Sequence, residues 1–232
     1  DLDRFKREHE CQFIIFEETL IAPSKLATME GTNPFEKQGQ VRWYDKPKKG
    51  HIYGVALDPS LGTGGDYAAI QIYELPGMIQ AGEWQHNKTP IQRQIAIVKE
   101  ICDYLFEVTG TDTDIYYSVE NNTIGEAALI SLEQYGEENI KGYFLSDSTN
   151  NRTYRKGFNT TFGNKISSCA RLKYLIEEDK MKINSRAFIS ELKTFVAQGI
   201  TFKGKMEEQD DLVSACLLIV RMSQVLADWD SR

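Results

Sequence analysis

The sequence has few cysteines and no long apolar run, and each absence excludes a class of protein. Its four cysteines lie far apart and show no C-x-x-C spacing, so we expect buried, reduced thiols in a reducing compartment. No window approaches the roughly 20 consecutive apolar residues of a membrane-spanning helix. The charged N-terminus, DLDRFKREHE, also lacks the apolar core of a signal peptide. We therefore expect no membrane partner.

The sequence also lacks internal repeats, low-complexity tracts and the phosphate-binding pattern G-x-x-x-x-G-K-[ST]. Without that pattern, ATP hydrolysis is not supported, and we expect no ATP site in this chain. What remains is a chain of 232 residues that is 41% hydrophobic, which is long and apolar enough to bury a sizeable core. A single domain is sufficient for a chain of this size.

Negative charge is in excess, but it is unevenly distributed. The net charge of −7 argues at first against a nucleic-acid partner. Residues 141–205, however, contain thirteen Lys and Arg against five Asp and Glu, a local balance of +8 that leaves −15 for the remainder. This asymmetry favours an anion-binding face, although an ordinary solvated surface explains it nearly as well.

The pattern of apolar residues predicts an α/β fold. From His51 onward, three strands joined by short Gly and Pro turns form a predicted antiparallel meander. The predicted strands are 52–57, 67–73, 78–86, 114–119 and 142–145, with short ones near 181–183 and 200–202. One predicted helix begins at Pro90, and the others span 124–135, 165–178, 186–196 and 208–227. This order describes a mixed sheet, an antiparallel meander plus parallel strands, with helices on both faces.

The first fifty residues differ from the rest. Residues 13–23 are apolar enough for a short strand pair, but the stretch after them is rich in turn-forming residues and ends in the basic cluster Lys46–Lys49. We interpret residues 1–50 as a linker or N-terminal extension and residues 51–232 as the domain.

Acidic residues stand where predicted elements end or begin. Asp58 ends the first strand, Glu120 ends the fourth, and Asp210 and Asp211 open the last helix. Each has an ordinary explanation alone, because Asp favours turns and helix N-termini and strand ends are solvated. In a mixed sheet whose first and fourth strands are neighbours, however, Asp58 and Glu120 lie side by side. The last helix can then bring its acids against them.

Carboxylates that converge need a compensating cation, since they repel one another. Oxygen donors without His or Cys favour Mg²⁺, with Mn²⁺ as a substitute, over zinc. Two such ions, roughly 3.5–4 Å apart, activate a water and stabilise the leaving oxygen in phosphodiester hydrolysis. The residue types therefore predict a metal-dependent nuclease.

Three motifs carry a family resemblance: LDPSLGTGGDYAA, YYSVENN and EEQDDLVSA. Over residues from about 51 to 225, the chain resembles the C-terminal nuclease domain of the large terminase subunit, the DNA-packaging motor of tailed bacteriophages, which has an RNase H-like fold. The resemblance implies that Asp58, Glu120 and Asp211 are the catalytic, metal-binding acids. Asp211 directly precedes the Leu-Val pair of the family's Asp-Asp-Leu-Val motif, so Asp210 is a neighbouring acid or a further ligand. Asp66 also matches the family pattern, in the outer shell of the site.

The resemblance also implies a biological setting. The family's full-length protein carries an N-terminal packaging ATPase, and residues 1–50 resemble the end of that ATPase and its linker. Such an enzyme cuts concatemeric viral DNA with little sequence specificity, so double-stranded DNA is the implied substrate. The portal protein and the small terminase subunit are the implied partners, and the implied location is the host cytoplasm, at the procapsid portal.

An enzyme with little sequence preference holds DNA by its phosphates, and the basic segment offers candidates. The polar stretch 146–164 has almost no apolar periodicity and is typical of a functional loop. The candidate DNA-binding residues are Arg152, Arg155, Lys156, Lys165, Arg171 and Lys173. Plain surface charge explains some of them equally well.

The residues leave other functions open. A junction resolvase, a transposase-like strand transferase or an RNase H keeps the fold and the acids but changes the substrate. The segment DPSLGTGG also resembles the phosphate-binding hairpin of actin-like ATPases, although the chain is short for that two-lobed architecture. A non-catalytic module that docks DNA or the portal is the remaining alternative.

Overall fold

The computed structural model describes residues 18–147 and 156–230. Within them, a sheet of seven strands has the order β1-β2-β5-β4-β3-β6-β7. Its strands are β1 (Glu36–Gln38), β2 (Val41–Trp43), β3 (Ile52–Asp58), β4 (Ala68–Leu75), β5 (Ile79–His86), β6 (Ile115–Val119) and β7 (Tyr143–Phe144). The helices are α1 (Pro23–Thr28), α2 (Ile91–Thr109), α3 (Thr123–Tyr135), α4 (Phe162–Glu177), α5 (Arg186–Thr194) and α6 (Asp211–Asp230), with a 3₁₀ turn at Glu137–Asn139. Between α5 and α6 the chain forms a separate hairpin, β8 (Phe195–Gln198) and β9 (Thr201–Gly204).

Strand β3 lies inside the sheet and determines where the acids meet. It pairs antiparallel with β4 on one side and parallel with β6 on the other, where Leu57 is in register with Val119. A parallel neighbour needs a long crossover connection, and α2 lies in it. The carboxyl ends of β3 and β6 therefore lie at the same edge of the sheet. The predicted combination of a meander with parallel strands is confirmed.

Alternate residues of β3 pack into two separate cores. Val55 and Leu57 pack with α2 and α3 on one face, whereas Ala56 belongs to the core formed with α4, α5 and α6 on the other. Because side chains alternate along a strand, Asp58 follows Ala56 onto the second face. The same alternation puts Glu120 there, one residue after Val119 in the first core. The helices predicted on both faces are confirmed, and both acids lie on the side of α6.

The described part of the predicted extension packs onto the domain. Leu20, Ile21 and Leu26 are buried in the same core as α4, α5 and α6, and strands β1 and β2 continue the sheet beyond β5. These two strands have three residues each, too few for a two-residue period to be visible in the sequence. The interpretation of residues 1–50 as the end of a preceding domain stays a prediction.

The strand predicted near 181–183 is reduced to a single bridge. Lys182 exchanges backbone hydrogen bonds with Met78 and Gln80, at 3.0 and 2.9 Å. Helix α5 begins at Arg186, so the ladder cannot extend. The helix start at residue 186 was predicted, but the short apolar run before it was taken for a strand.

Several helix boundaries also differ from the prediction, among them the start of α4 at Phe162 rather than at residue 165. The helix predicted over 186–196 ends at Thr194, because Phe195 and Val196 pair with β9 instead. The last helix begins at Asp211 rather than at residue 208. Over the described ranges, no helix is both long enough and apolar enough to cross a membrane.

Candidate metal centre

Asp58 and Glu120 occupy adjacent strand ends. Asp58 is the last residue of β3. Glu120 directly follows β6, and its backbone amide donates to the carbonyl oxygen of Leu57 at 2.9 Å. This bond extends the parallel ladder by one residue, so the two side chains leave the sheet together and their carboxyl groups come within hydrogen-bonding reach. The structure thus brings together the first two of the predicted acids.

The pKa of Asp58 is raised well above its ordinary value. Burial is the main cause, because a charged carboxylate loses solvation there. The charge of Glu120 comes next, then the hydrogen bond with Glu120 and the charges of Asp211 and Asp210. The side chain is half-buried, so it keeps some contact with solvent. Burial and repulsion therefore favour the protonated carboxyl group, and a cation can take the place of the proton.

Asp211, the first residue of α6, completes the group of three. Burial raises its pKa to about 7, and the charges of Asp210 and Asp66 add to the effect. Asp66 is exposed, just before β4. Its influence on Asp211 places it on the solvent side of the same acidic cluster.

Asp210 has a structural partner. Its Oδ2 accepts from the amide of Gly204 at 3.0 Å, which ties the end of the β8–β9 hairpin to the start of α6. Its carbonyl oxygen accepts from the amide of Ser214 at 2.8 Å, the first hydrogen bond of the helix. Asp210 therefore occupies the N-cap position of α6, but its side chain bonds the hairpin instead of the first amides of the helix.

The donor set suits a hard divalent cation, although the carboxylates are not preassembled around one. Among residues 18–147 and 156–230, no three Asp, Glu, His or Cys side chains are arranged as a coordination set. The donors that converge are carboxylate oxygens, the type that Mg²⁺ and Mn²⁺ prefer. A cation that displaces the protons on these acids supplies the positive charge that their burial requires.

Asn122 and Gly125 support Glu120, and sequence reasoning missed both. Glu120 is 8% exposed, and its Oε2 accepts from Nδ2 of Asn122 at 2.5 Å. Asn122 is also the N-cap of α3. At Gly125, a Cβ atom would meet the carbonyl oxygen of Glu120 at 1.8 Å, so only glycine lets α3 pack this close. The sequence signal was an asparagine in the N-cap position of a predicted helix, two residues after Glu120.

The glycine-rich turn after Asp58 packs against a neighbouring turn. Gly62 has φ +71°, and a Cβ there would lie 2.2 Å from the carbonyl oxygen of Thr89. Gly64 donates its amide to the carbonyl oxygen of Asn87 at 2.8 Å. Gly62 is therefore needed for the close backbone approach to Thr89, and Gly64 for its φ of +98°.

Of the six candidate DNA-binding residues, Arg152 and Arg155 lie outside the described residues. Lys165, on α4, lines a small cavity together with Glu120. Its ammonium nitrogen is 5.8 Å from the centre of the Phe195 ring. One positive charge therefore stands close to the acidic cluster.

The other three basic candidates contact the protein itself. Lys156 pairs with Glu137, and Nζ of Lys173 donates to the carbonyl oxygen of Leu20 at 3.0 Å. Arg171 is exposed and lies over the ring of a neighbouring tyrosine on α4 at 5.2 Å. Lys156 and Lys173 thus already have acceptors with which DNA must compete, whereas the face of Arg171 is open to solvent. Their role in binding DNA stays a prediction.

Arg221 is a further residue that sequence reasoning missed. Its side chain is buried on α6, and Nη2 bonds both the carboxylate of Asp147 and the carbonyl oxygen of Asn159, the latter at 3.1 Å. The guanidinium lies 4.9 Å from the centre of the Phe158 ring and lines the cavity that contains Glu120. A lone arginine in the apolar run LLIVRM was the available signal.

Comparison with known families and structures places these residues in context. The model of the terminase RNaseH-like domain family matches residues 55–223. This is well over half of the chain, and it spans all three acids. The match confirms the resemblance carried by the three sequence motifs.

Several solved structures share the fold at low sequence identity. The large terminase nuclease from thermophilic phage G20c, with bound magnesium, matches with a TM-score of 0.65 and 18% identity, over 88% of this chain and 96% of that one. The human cytomegalovirus terminase nuclease domain, manganese-soaked and inhibitor-bound, gives 0.56 and 12%, over 88% and 95%. The nuclease domain of the large terminase subunit of bacterial virus Sf6 gives 0.50 and 14%, over 87% and 98%. These similarities establish an RNase H-like terminase nuclease fold.

Proposed function

The chain belongs to the terminase RNaseH-like domain family, and on this premise we propose that it is a metal-dependent endonuclease that cuts concatemeric viral DNA during genome packaging. The observation that carries the proposal is the convergence of Asp58, Glu120 and Asp211 from three separate elements. Burial raises the pKa of Asp58 and of Asp211, and the charges of neighbouring acids add to it, so the site opposes the charged forms unless a cation joins them. Titratable groups perturbed in this way are typical of functional sites.

We infer that Asp58, Glu120 and Asp211 hold Mg²⁺, with Mn²⁺ as a substitute. Asp210 is a further candidate ligand, and Asp66 is placed to act from the outer shell. When bound, a pair of such ions supplies the Lewis acidity that activates a water and stabilises the leaving oxygen of a phosphodiester. Relatives of this fold have been solved with magnesium, cobalt and zinc, which supports a divalent-metal site. The all-oxygen donor set favours magnesium among these ions.

The protein's own contribution is to hold the acids and the DNA in place. Asn122 orients the carboxylate of Glu120, and the start of α6 delivers Asp211. Lys165 lines the same cavity as Glu120, where its positive charge favours a phosphate and offsets the repulsion between DNA and the acidic cluster. Arg171, exposed on the same helix, extends the basic surface, and Arg152 and Arg155 remain further candidates. Contacts of this kind read phosphates rather than bases, so we expect little sequence specificity.

The proposal extends to the setting in which the domain works. In the full-length protein we expect a packaging ATPase to precede this domain. The portal protein and the small terminase subunit are the proposed partners, and the procapsid portal in the host cytoplasm is the proposed place of cleavage.

A plasmid-cutting assay tests the proposal. We expect the purified chain to nick or cut supercoiled DNA with Mg²⁺ or Mn²⁺ but not with EDTA. Asp211→Asn should abolish cutting, whereas Asp228→Asn, the same change on the exposed end of the same helix, should not. Cutting without metal, or full activity of Asp211→Asn, contradicts the proposal. If a four-way junction or an RNA–DNA hybrid is cut much faster than duplex DNA, the proposed substrate is wrong.

A further inference from the structure

The first turn of α6, which carries Asp211, is held by a side chain from another helix. Glu191 of α5 accepts with its Oε2 from the backbone amides of Leu212 and Val213, at 2.8 and 3.1 Å. A helix leaves its first amides without partners inside the helix. The two amides that Glu191 binds are the second and third of α6, which an N-cap side chain ordinarily satisfies.

Glu191 takes this role because the residue in the N-cap position is engaged elsewhere. Asp210 precedes the helix, but its carboxylate bonds the amide of Gly204 in the β8–β9 hairpin. Glu191 supplies the missing cap from a distance of twenty-one residues in the chain. In its charged form, Glu191 also interacts favourably with the helix dipole. The cap thus fixes the helix start without using either acid of the Asp210–Asp211 pair.

Glu191 is in turn oriented by the sheet. Its Oε1 accepts from Nε2 of Gln85 at 2.8 Å, so both of its oxygens are bonded while the residue is 8% exposed. Gln85 of β5 is in register with Ala69 of β4, which is in register with Asp58 of β3. Gln85, which holds the side chain that caps α6, therefore lies level with Asp58 across the sheet.

A second set of buried hydrogen bonds also connects the sheet to α5 and to the start of α6. Nε2 of Gln71, on β4, donates to the carbonyl oxygen of Leu212 at 3.3 Å. Its Oε1 accepts from Gln80, on β5, at 2.8 Å. Oε1 of Gln80 accepts from the amides of Asn184 and Ser185, both at 2.8 Å, where α5 begins. These hydrogen bonds join the sheet, α5 and α6, and they hold the start of α6 in place.

We propose that Glu191 is a positioning residue for the metal centre, which holds Asp211 in reach of Asp58 and Glu120 by capping α6, and that Gln85 orients it. The inference rests on the proposed function, since it assigns a task to Glu191 only if the three acids bind a metal. Partners that orient metal ligands typically change metal affinity 10–100-fold when they are lost. Glu191 acts on the backbone rather than on the ligand side chain, so the lower end of that range is expected.

Binding of Mn²⁺ to the DNA-free protein, followed by electron paramagnetic resonance, tests the proposal apart from cleavage. Glu191→Ala removes the cap and should weaken Mn²⁺ binding about 10-fold. Glu191→Gln keeps one oxygen, which can accept from the two amides of α6. Its new amide group can donate to Gln85 once the amide of Gln85 is flipped. This variant should therefore bind Mn²⁺ almost as tightly as the unaltered protein. If Glu191→Gln binds as weakly as Glu191→Ala, the negative charge matters rather than the cap, and the proposal is wrong.

Two further variants separate positioning from general loss of stability. Ile95→Ala truncates a buried side chain on α2, on the other face of the sheet, and should lower the melting temperature without changing Mn²⁺ affinity. Gln85→Leu removes only the support of Glu191 and should weaken Mn²⁺ binding in the same direction as Glu191→Ala, by less; it also serves if Glu191→Ala does not fold. Unchanged Mn²⁺ affinity in both Glu191→Ala and Gln85→Leu overturns the inference about Glu191 but not the proposed function. A failure of the unaltered protein to bind Mn²⁺ overturns the proposed function instead.

Discussion

Asn122 joins the carboxylate of Glu120 to the start of the next helix. Its Nδ2 donates to Glu120 Oε2 at 2.5 Å, while its Oδ1 accepts from the amides of Ile124 and Gly125 at 3.0 and 2.9 Å. An amide side chain can do both because it offers donors and an acceptor on one short stem. The orientation of a proposed metal ligand therefore depends on a helix cap.

Separating the two tasks of Asn122 is the first prediction. Asn122→Ala loses both, so we expect the free energy of unfolding to fall by about 1 kcal/mol. We also expect the Mg²⁺ concentration for half-maximal cleavage to rise about 10-fold. Asn122→Ser keeps a good N-cap but is too short to reach Glu120, so it should recover the stability and not the Mg²⁺ requirement. Urea denaturation and Mg²⁺ titration of cleavage measure the two effects. A normal Mg²⁺ requirement in both variants means that Asn122 is only a cap.

Stability in the absence of metal should fall as the pH rises. Burial raises the pKa of Glu191 to about 8 from 4.5, and that of Asp211 to about 7 from 3.8. Between pH 5 and 8 the unfolded chain has already lost protons that the native state still holds, so the free energy of unfolding decreases with pH. Each tenfold difference in proton affinity between the two states corresponds to about 1.4 kcal/mol, with Asp211 contributing less because it keeps contact with solvent. Urea denaturation in EDTA at pH 5, 6.5 and 8 measures the slope.

The same experiment has an internal control and a metal arm. Glu191→Gln has no carboxyl group at this position, so its stability should decline less steeply with pH. Mg²⁺ should stabilise the protein more at pH 8 than at pH 6, because the cation replaces protons on the acids and binds only the native state. Stability that is constant or rises from pH 5 to 8 in EDTA contradicts the assignment of these buried acids.

The acids were predictable because their positions follow from strand ends. Asp58 and Glu120 each close an apolar run, and the carboxyl ends of parallel neighbours meet at one edge of a sheet. The place of Asp210 and Asp211 ahead of an apolar helix indicated only the pair, and the choice of Asp211 came from the resemblance to the family's Asp-Asp-Leu-Val motif. The local patterns and the sheet order therefore locate the acids, while the resemblance assigns their roles.

The role of Glu191 was not predictable, because its partners are remote in sequence. Glu191 lies on a short amphipathic helix and looks like a surface residue, yet its partner Gln85 is 106 positions away. Nothing in the sequence shows that Asp210 bonds the hairpin and leaves α6 to be capped by another element. Strands β1 and β2 were missed for a different reason, since three-residue strands carry no readable period.

Gly125 permits the close approach of α3 to Glu120. We expect Gly125→Ala to reduce both stability and cleavage, because its Cβ would lie 1.8 Å from the carbonyl oxygen of Glu120 and the helix must move away. The cost should exceed the roughly 0.5–1 kcal/mol by which Ala ordinarily favours a helix. Gly163→Ala on α4 is the matched control, since nothing lies within 4 Å of its Cβ. Gly163→Ala should be neutral or stabilising and fully active; a Gly125→Ala variant that behaves the same way contradicts the prediction.

Arg221 connects two chain segments close to Glu120. It bonds Asp147 and the carbonyl oxygen of Asn159, and the residue before Asn159, Phe158, forms a bridge with Glu120. Arg221→Met keeps an apolar stem over the Phe158 ring but leaves Asp147 without its cation. Breaking a buried ion pair on one side costs about 3–5 kcal/mol, and we expect the lower end because Asp147 is 27% exposed.

Asp147→Asn, alone and combined with Arg221→Met, completes a double-mutant cycle, which urea denaturation can measure. The second change removes the unpaired charge, so the double variant should regain part of the lost stability. It should still require more Mg²⁺ for cleavage, because the bond to Asn159 that holds Phe158 against Glu120 remains broken. Strictly additive losses of stability would mean that the ion pair contributes nothing. A normal Mg²⁺ requirement would mean that the position of Glu120 depends on β6 and Asn122 alone.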